Sequence, residues 1–386
     1  MPGRRRFALA LDWAPSANHA GFYLARQHGF YSDAGLAVDL LPPASLGGPT
    51  PAQACASGRV QACLCPSESV ISLATRPPGA APLPRLAAVA AVLQTDASAI
   101  AVLASSDIQS PAGLDGAIYA SYGARFESRI VAELIRADGG AGEFTEVAPP
   151  HGACLDAVVH AKADATWVFP WEVALAEARL GAPLRAFPLA GVPYGYSPCV
   201  AAPADTVFNA GGEGGEGEGA APAAPTPSPT TRRDLALFLA ASAAGWRAAA
   251  SDPLAAARAL VDGAAADGWC VDGVVATAAC AATAPHILDA DGAWGRQVES
   301  RWSDWLAWMA SRGVLTALLP SRAPRARVSA SLDDLRRGRA GDPVLAPPAG
   351  ELFTNELLDD GVGREGKEGE KVGAGEEGGG KGGGVN

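Results

Sequence analysis

The chain has 386 residues, 48% of them hydrophobic, and a formal net charge of −11 at pH 7. That length allows two or three domains around substantial cores, and the acidic balance argues against a nucleic-acid or anionic-membrane partner. No run of about 18 apolar residues free of charge and proline is present, so no transmembrane helix is expected.

The N-terminus Met1-Pro2-Gly3-Arg4-Arg5-Arg6 is basic, but the apolar run 7–11 is too short for a signal-peptide core and Asp12 interrupts it. A cytoplasmic protein is the resulting expectation, with an organelle as the other option. Seven cysteines, an odd number without pairing spacing, fit a reducing compartment. Cys63 and Cys65 are expected on opposite faces of one strand, which sets aside a shared metal. His28, His151, His160 and His286 lack metal-ligand spacing, and no metal site is expected.

Residues 4–207 alternate short apolar strands with amphipathic helices, the pattern of a parallel sheet covered on both faces. The first strand, near 6–11, runs into Leu11-Asp12-Trp13-Ala14-Pro15-Ser16-Ala17-Asn18-His19-Ala20 and a helix over 17–28. A strand's carboxyl end feeding a helix is where open α/β sheets place ligands, because the first helical N–H groups are unpaired and the helix dipole is positive there. Asp12 and His19 offer an acid and a base, Trp13 a flat face and Asn18 an amide. His19 either binds ligand or moves protons near neutral pH, or it is hydrogen-bonded filler that shapes the turn; both readings stand.

Strands follow near 37–41 and 60–65, with a helix over 51–57 between them. Cys65-Pro66-Ser67-Glu68-Ser69 then opens a helix over 67–75. Ser67 and Glu68 either begin a plain capped helix or present its free N–H groups to an anion or polar edge. After strands near 88–93, 99–104 and 117–120 and a helix over 110–115 comes Ser121-Tyr122-Gly123-Ala124-Arg125, before a helix over 124–137. A small-residue turn with an arginine at a helix start suits a phosphate or carboxylate; Arg125 alternatively pairs with Glu127.

A helix over 152–161 and a strand over 165–168 lead to Trp167-Val168-Phe169-Pro170-Trp171-Glu172 and a helix over 171–180. Trp171 offers a flat face and Glu172 a carboxylate that would grip an exocyclic amine, which suits an aminopyrimidine. One of Trp167 and Phe169 belongs to the core. Tyr194 and Tyr196, before a strand near 198–202, each combine a ring with a hydroxyl. Residues 209–231 (Gly/Glu, then Ala/Pro) and 360–386 (Gly/Glu/Lys) read as disordered, and helical sequence fills 232–319.

The opening turn, with Gly29-Phe30-Tyr31, Gly35-Leu36-Ala37-Val38, the Trp167–Glu172 run and Leu352-Phe353-Thr354-Asn355-Glu356-Leu357, resembles the thiamine pyrimidine synthase and pyrimidine-precursor-binding family. That family is a branch of the type II periplasmic-binding-protein superfamily. The resemblance implies an α/β fold of two lobes with a ligand cleft between them. Residues 4–96 would begin lobe 1, 97–197 form lobe 2, and 198–359 return to lobe 1 and add the C-terminal helices. The family's synthases form the thiamine aminopyrimidine phosphate from pyridoxal phosphate and a histidine, with iron implicated. Pyridoxal phosphate and iron are therefore the cofactors the resemblance suggests.

The synthases hold pyridoxal through a lysine after the third strand and donate a histidine four residues later. This chain has Cys65 and Ser69 there, and only Cys199 where the family has a cysteine-rich run. A Schiff base needs a primary amine, and the folded region's one lysine, Lys162, sits in a helix-to-strand turn. Two readings follow. One is a synthase-like enzyme with Asp12, His19 or Glu172 as acid or base. The other is a non-catalytic binder or sensor of a pyrimidine precursor or another small compound such as a sulfonate. The expected partner is a small heterocycle, with no nucleic acid or membrane, and a homodimer is an option.

Overall fold

The computed structural model describes residues 3–75, 85–149, 153–208, 231–315 and 344–359. The chain opens with β1 (Arg5–Ala10), α1 (Ala20–Gln27), α2 (Phe30–Asp33), β2 (Leu36–Leu41), α3 (Pro51–Ala56), β3 (Ala62–Cys65), α4 (Ser67–Ala74) and β4 (Leu86–Ala91). There follow β5 (Ala99–Leu103), β6 (Ile118–Ala120), α5 (Glu127–Ala137), β7 (Thr145–Val147), α6 (Cys154–Val159), β8 (Ala165–Val168), α7 (Pro170–Leu180) and β9 (Leu184–Pro188). The last part holds β10 (Cys199–Pro203), α8 (Ala204–Phe208), α9 (Arg232–Ser251), α10 (Pro253–Ala266), α11 (Gly273–Thr283) and α12 (Glu299–Ser311).

These strands make two five-stranded sheets, ordered β2-β1-β3-β10-β4 and β7-β6-β8-β5-β9. The central strands β3 and β8 are buried along their whole length, and so is the edge strand β4, which the C-terminal segment covers, as expected for apolar runs covered on both faces. The sheets are mixed, which corrects the expectation of an all-parallel arrangement. β1 pairs parallel with β2 and β3, but β10 runs antiparallel to β3 and β4. In the second sheet β5 runs antiparallel to β8 and β9. In each sheet the antiparallel strand adjoins a crossing between sheets, so the chain enters each sheet against the direction of its βα units.

Two aromatic-rich cores hold the molecule. Behind the first sheet, α1 and α9 pack face to face, with Phe7 stacked on Phe238 at 4.4 Å and Phe22 edge-on to Trp246 at 5.3 Å. The second core runs from one sheet to the other. Trp167 of β8 meets Tyr194 at 5.5 Å, Tyr194 meets Trp305 of α12 at 5.0 Å, and Trp305 meets Trp308 at 5.2 Å. Near the C-terminus, Leu352 O accepts from Ala88 N at 2.8 Å and Thr354 N donates to Ala88 O at 3.0 Å, docking that segment on β4.

Cys63 and Cys65 share a face, contrary to expectation, because residues two apart on a strand point the same way. Both belong to one buried cluster with Cys55 and Cys199, and all seven cysteines are free thiols. The segments expected to be disordered, 209–231 and 360–386, lie outside the described residues except for Thr231, whose hydroxyl accepts from Asp234 N to cap α9. His151 and residues 316–319 also lie outside them. No helix among the described residues is long and apolar enough to cross a membrane.

Candidate functional site

The loops leaving the carboxyl ends of β1, β3, β6 and β8 bring most of the expected site residues to the gap between the sheets. After β1, Asp12 and the half-buried Trp13 stand at the mouth, with Asn18 and His19 buried behind them. His19 Nδ1 accepts the Ser16 backbone N–H at 3.0 Å, which fixes the proton on Nε2; Nε2 donates to Asp12 Oδ1 at 2.7 Å. His19 is wholly buried while the Asp12 side chain keeps 24% exposure. Both ring nitrogens of His19 are thus engaged within the turn, on Ser16 and on Asp12.

From the other sheet, Tyr122 meets Trp13 edge to face, ring centroids 5.7 Å apart. Its hydroxyl donates to Glu172 Oε1 at 2.8 Å, and Glu172 Oε2 accepts the Phe169 backbone N–H at 3.0 Å. Trp13, Tyr122 and Glu172 therefore form one contiguous wall drawn from both sheets. Trp167 is the core member of its pair, at 5% exposure. Trp171 is half-buried and leans on the core behind the first sheet, where α7 packs against α11.

Besides Trp171, the expected site residues Ser67, Tyr196 and Arg125 are turned elsewhere. The N-cap of α4 is Pro66, so Ser67 does not cap it; Ser67 N donates to Tyr196 O at 2.8 Å and its hydroxyl accepts from Tyr196 N at 3.2 Å. Tyr196 points beneath α12, with its hydroxyl accepting from Val298 N at 2.8 Å and Arg301 over its ring at 4.1 Å. Arg125 reaches neither an anion cradle nor Glu127 in the expected ion pair. Its guanidinium crosses to the end of α4, donating to Ser72 O at 3.1 Å, Thr75 Oγ1 at 3.0 Å and Thr75 O at 3.3 Å. A cation there complements the unpaired carbonyls and negative end of the helix dipole.

Burial raises the carboxyl groups in and around the wall. Burial lifts Glu172 from the usual 4.5 to about 7, against the pull of the Tyr122 hydroxyl and the Phe169 N–H. Glu68, near the Tyr194 hydroxyl, is likewise lifted by burial to about 7. Burial also raises Glu127 and Asp96. Asn18 Oδ1 and Glu68 Oε2 are buried without a hydrogen-bond partner; an unmet acceptor costs about 1–3 kcal/mol and marks where a donor belongs. A groove of about 520 Å³ lies on the hinge side, lined by Thr95, Asp96, Tyr194, Arg301 and Asp304 among others, but by neither Trp13 nor Tyr122.

The raised carboxyls have a measurable consequence. Between pH 4.5 and about 7 the folded chain holds protons that the unfolded chain has released, so stability falls as pH rises through that window. The loss is on the order of 3 kcal/mol for each group. Thermal melts from pH 5 to 8 should show the melting temperature declining, and Glu172→Gln should flatten that decline. An unchanged slope in the variant would remove Glu172 as a contributor.

The cofactors suggested by resemblance do not fit these residues. Cys65 stands in the lysine position, and its thiol is held well above its ordinary value by a hydrogen bond with Cys63 and by burial, with the charges of Asp12 and Glu68 adding to both. Lys162 is exposed in the turn that enters β8, at the opposite end from the site loops. Among the described residues no group of three or more His, Cys, Asp or Glu is placed to hold a metal ion.

Two mixed sheets joined by crossings, with the loops of both facing one gap, define a two-lobed type II periplasmic-binding-protein fold. The chain belongs to the NMT1/THI5 like family, whose profile matches residues 16–210, just over half of its length. It is 32% identical over 133 residues to a formylaminopyrimidine-binding protein of Halalkalibacterium halodurans, a match covering 34% of this chain and 38% of that protein.

Among solved structures it is similar to the alkanesulfonate-binding protein SsuA from Xanthomonas axonopodis pv. citri bound to MOPS. That pair has a TM-score of 0.55 at 14% identity, covering 84% of this chain and 97% of the other. The periplasmic nitrate-binding protein NrtA from Synechocystis PCC 6803 gives 0.56 at 10% identity, covering 97% and 92%. These similarities overturn the expected cytoplasmic placement, since the fold is that of periplasmic binding proteins. The expectation rested on the first dozen residues, which carry no information about the fold that follows.

Proposed function

We propose that this protein binds a small, flat, amine-bearing heterocycle between its lobes, and that the ligand is an aminopyrimidine precursor of thiamine. The observation that carries the reading is the wall from both lobes: Trp13 against Tyr122 at 5.7 Å and Glu172 held by the Tyr122 hydroxyl at 2.8 Å. A planar ring laid against this wall as the lobes close on it would place an exocyclic amine near Glu172 or near the Asp12 carboxylate that His19 aims. Asn18 and Glu68 supply further acceptors. The relative from H. halodurans, named for binding formylaminopyrimidine, supports the same ligand class. A sulfonate, the ligand class named for the Xanthomonas protein, fits less well, because Arg125 is engaged on α4 and the site's other charges are carboxylates. The reading is of binding; Cys65 and Ser69 supply neither the amine nor the imidazole of the synthase route.

A thermal-shift panel tests it. A hydroxymethyl aminopyrimidine or formylaminopyrimidine at 100 times its Kd should stabilise the protein by about 2.7 kcal/mol, a melting-point rise of several degrees. Pyridoxal phosphate and MOPS should leave the melting point in place. Stabilisation by MOPS alone would sink the pyrimidine reading.

A further inference from the structure

The turn between β6 and α5 has the form of an anion cradle, and an anion already lies in it. Glu127, the first residue of α5, is 4% exposed. Its Oε1 accepts the Tyr122 N–H at 3.1 Å and the Tyr119 hydroxyl at 2.8 Å, and its Oε2 accepts the Ala124 N–H at 3.1 Å. Between those two donors, the N–H of Gly123 goes to Ser121 Oγ at 2.8 Å. Gly123 has φ of 72°, the left-handed conformation that curls successive N–H groups toward one point. The N–H groups of three consecutive residues are thus all taken by the chain itself.

These are the donors a phosphate monoester or a sulfonate needs at a helix start. An incoming oxyanion would find none of them available and would lie beside a carboxylate in a water-poor setting, where like charges repel strongly. We propose that Glu127 is a built-in anion that fills this cradle and sets the specificity of the cleft, admitting the unphosphorylated form of its ligand and rejecting phosphate esters and sulfonates. Tyr122 ties the two sites together, since its N–H holds Glu127 while its ring and hydroxyl form the wall with Trp13 and Glu172. The choice of a heterocycle rests on the reading above; the exclusion of anions rests on Glu127 alone.

The test uses the full chain and two variants, Glu127→Gln and Glu127→Ala. By titration calorimetry the unmodified protein should prefer a hydroxymethyl aminopyrimidine over its phosphate monoester by at least 100-fold, and Glu127→Gln should narrow that preference at least tenfold. Glu127→Ala leaves the cradle donors unmet and should melt earlier. Millimolar inorganic phosphate should restore its melting point while leaving that of the unmodified protein in place.

Equal affinity of the unmodified protein for alcohol and ester would overturn the proposal. So would phosphate stabilising the unmodified protein and Glu127→Ala to the same extent. If the unmodified protein binds neither pyrimidine, the ligand reading fails and phosphate rescue alone decides the role of Glu127. If Glu127→Ala does not fold even with phosphate, the Glu127→Gln preference decides it.

Discussion

Glu172→Gln is expected to weaken aminopyrimidine binding by about 2- to 30-fold at pH 7.5. A hydrogen bond to a charged group contributes about 1.5–3 kcal/mol against about 1 for a neutral one, and each 1.4 kcal/mol is a tenfold change in Kd. The amide keeps an oxygen for the Tyr122 hydroxyl but presents an NH2 to the Phe169 N–H, so one helix-start contact is lost. Against that loss, the variant no longer buries a carboxylate that resists ionisation until about pH 7. At pH 8 its melting point should therefore hold or rise while calorimetry shows the weaker binding. A variant that melts well below the unmodified protein at pH 8 would mean that Glu172 acts mainly as the cap of α7.

Gly245→Ala should be among the most damaging single substitutions in the chain. α1 and α9 cross so closely that a methyl at 245 would overlap the Gly21 carbonyl and lie 2.5 Å from Ala25 Cβ and 2.9 Å from Ala25 N. These are backbone atoms or atoms fixed to the backbone, so relief requires the helices to part, dragging the Phe22–Trp246 packing with them. Overpacking of this kind costs roughly 3 kcal/mol or more, a melting-point fall on the order of 10 °C. Gly273→Ala is the control: a methyl there meets nothing within 4 Å, and the melting point should stay within a degree or two. Because α1 follows the Asp12–His19 turn, the Gly245 variant should also lose ligand affinity at temperatures where it remains folded.

The strand–turn–helix signal at the opening turn was fully legible in the sequence, and so were the strong apolar strands. Two strands escaped notice for separate reasons. β7 is three residues, Thr-Glu-Val, on a sheet edge; β9 carries an arginine and ends in proline, features that mark an edge strand. Strand direction escaped as well, because apolar periodicity carries no information about parallel or antiparallel pairing.

At the site, Trp13, Tyr122 and Glu172 converge because each follows a strand's carboxyl end. Ser67 and Arg125 share that setting yet turn away, and Tyr196, in the approach to β10, turns away as well, each toward a partner remote in sequence. Glu127 was missed although its signal was present. A glutamate three residues after the turn residue Ala124 reaches back to that residue's N–H at 3.1 Å, the reach of a capping box.

The Arg125 bridge bears on speed. Its guanidinium belongs to one lobe and grips Ser72 and Thr75 of the other, so separating the lobes means breaking several charge-assisted hydrogen bonds at once. The α7–α11 packing and the Trp13–Tyr122 contact also cross between the lobes, so the Arg125 grip is one of several contacts that opening must break, and one that touches no part of the wall. A longer-lived helix-end clasp would lengthen residence and slow association together, while the equilibrium between them answers to the aromatic and carboxylate wall.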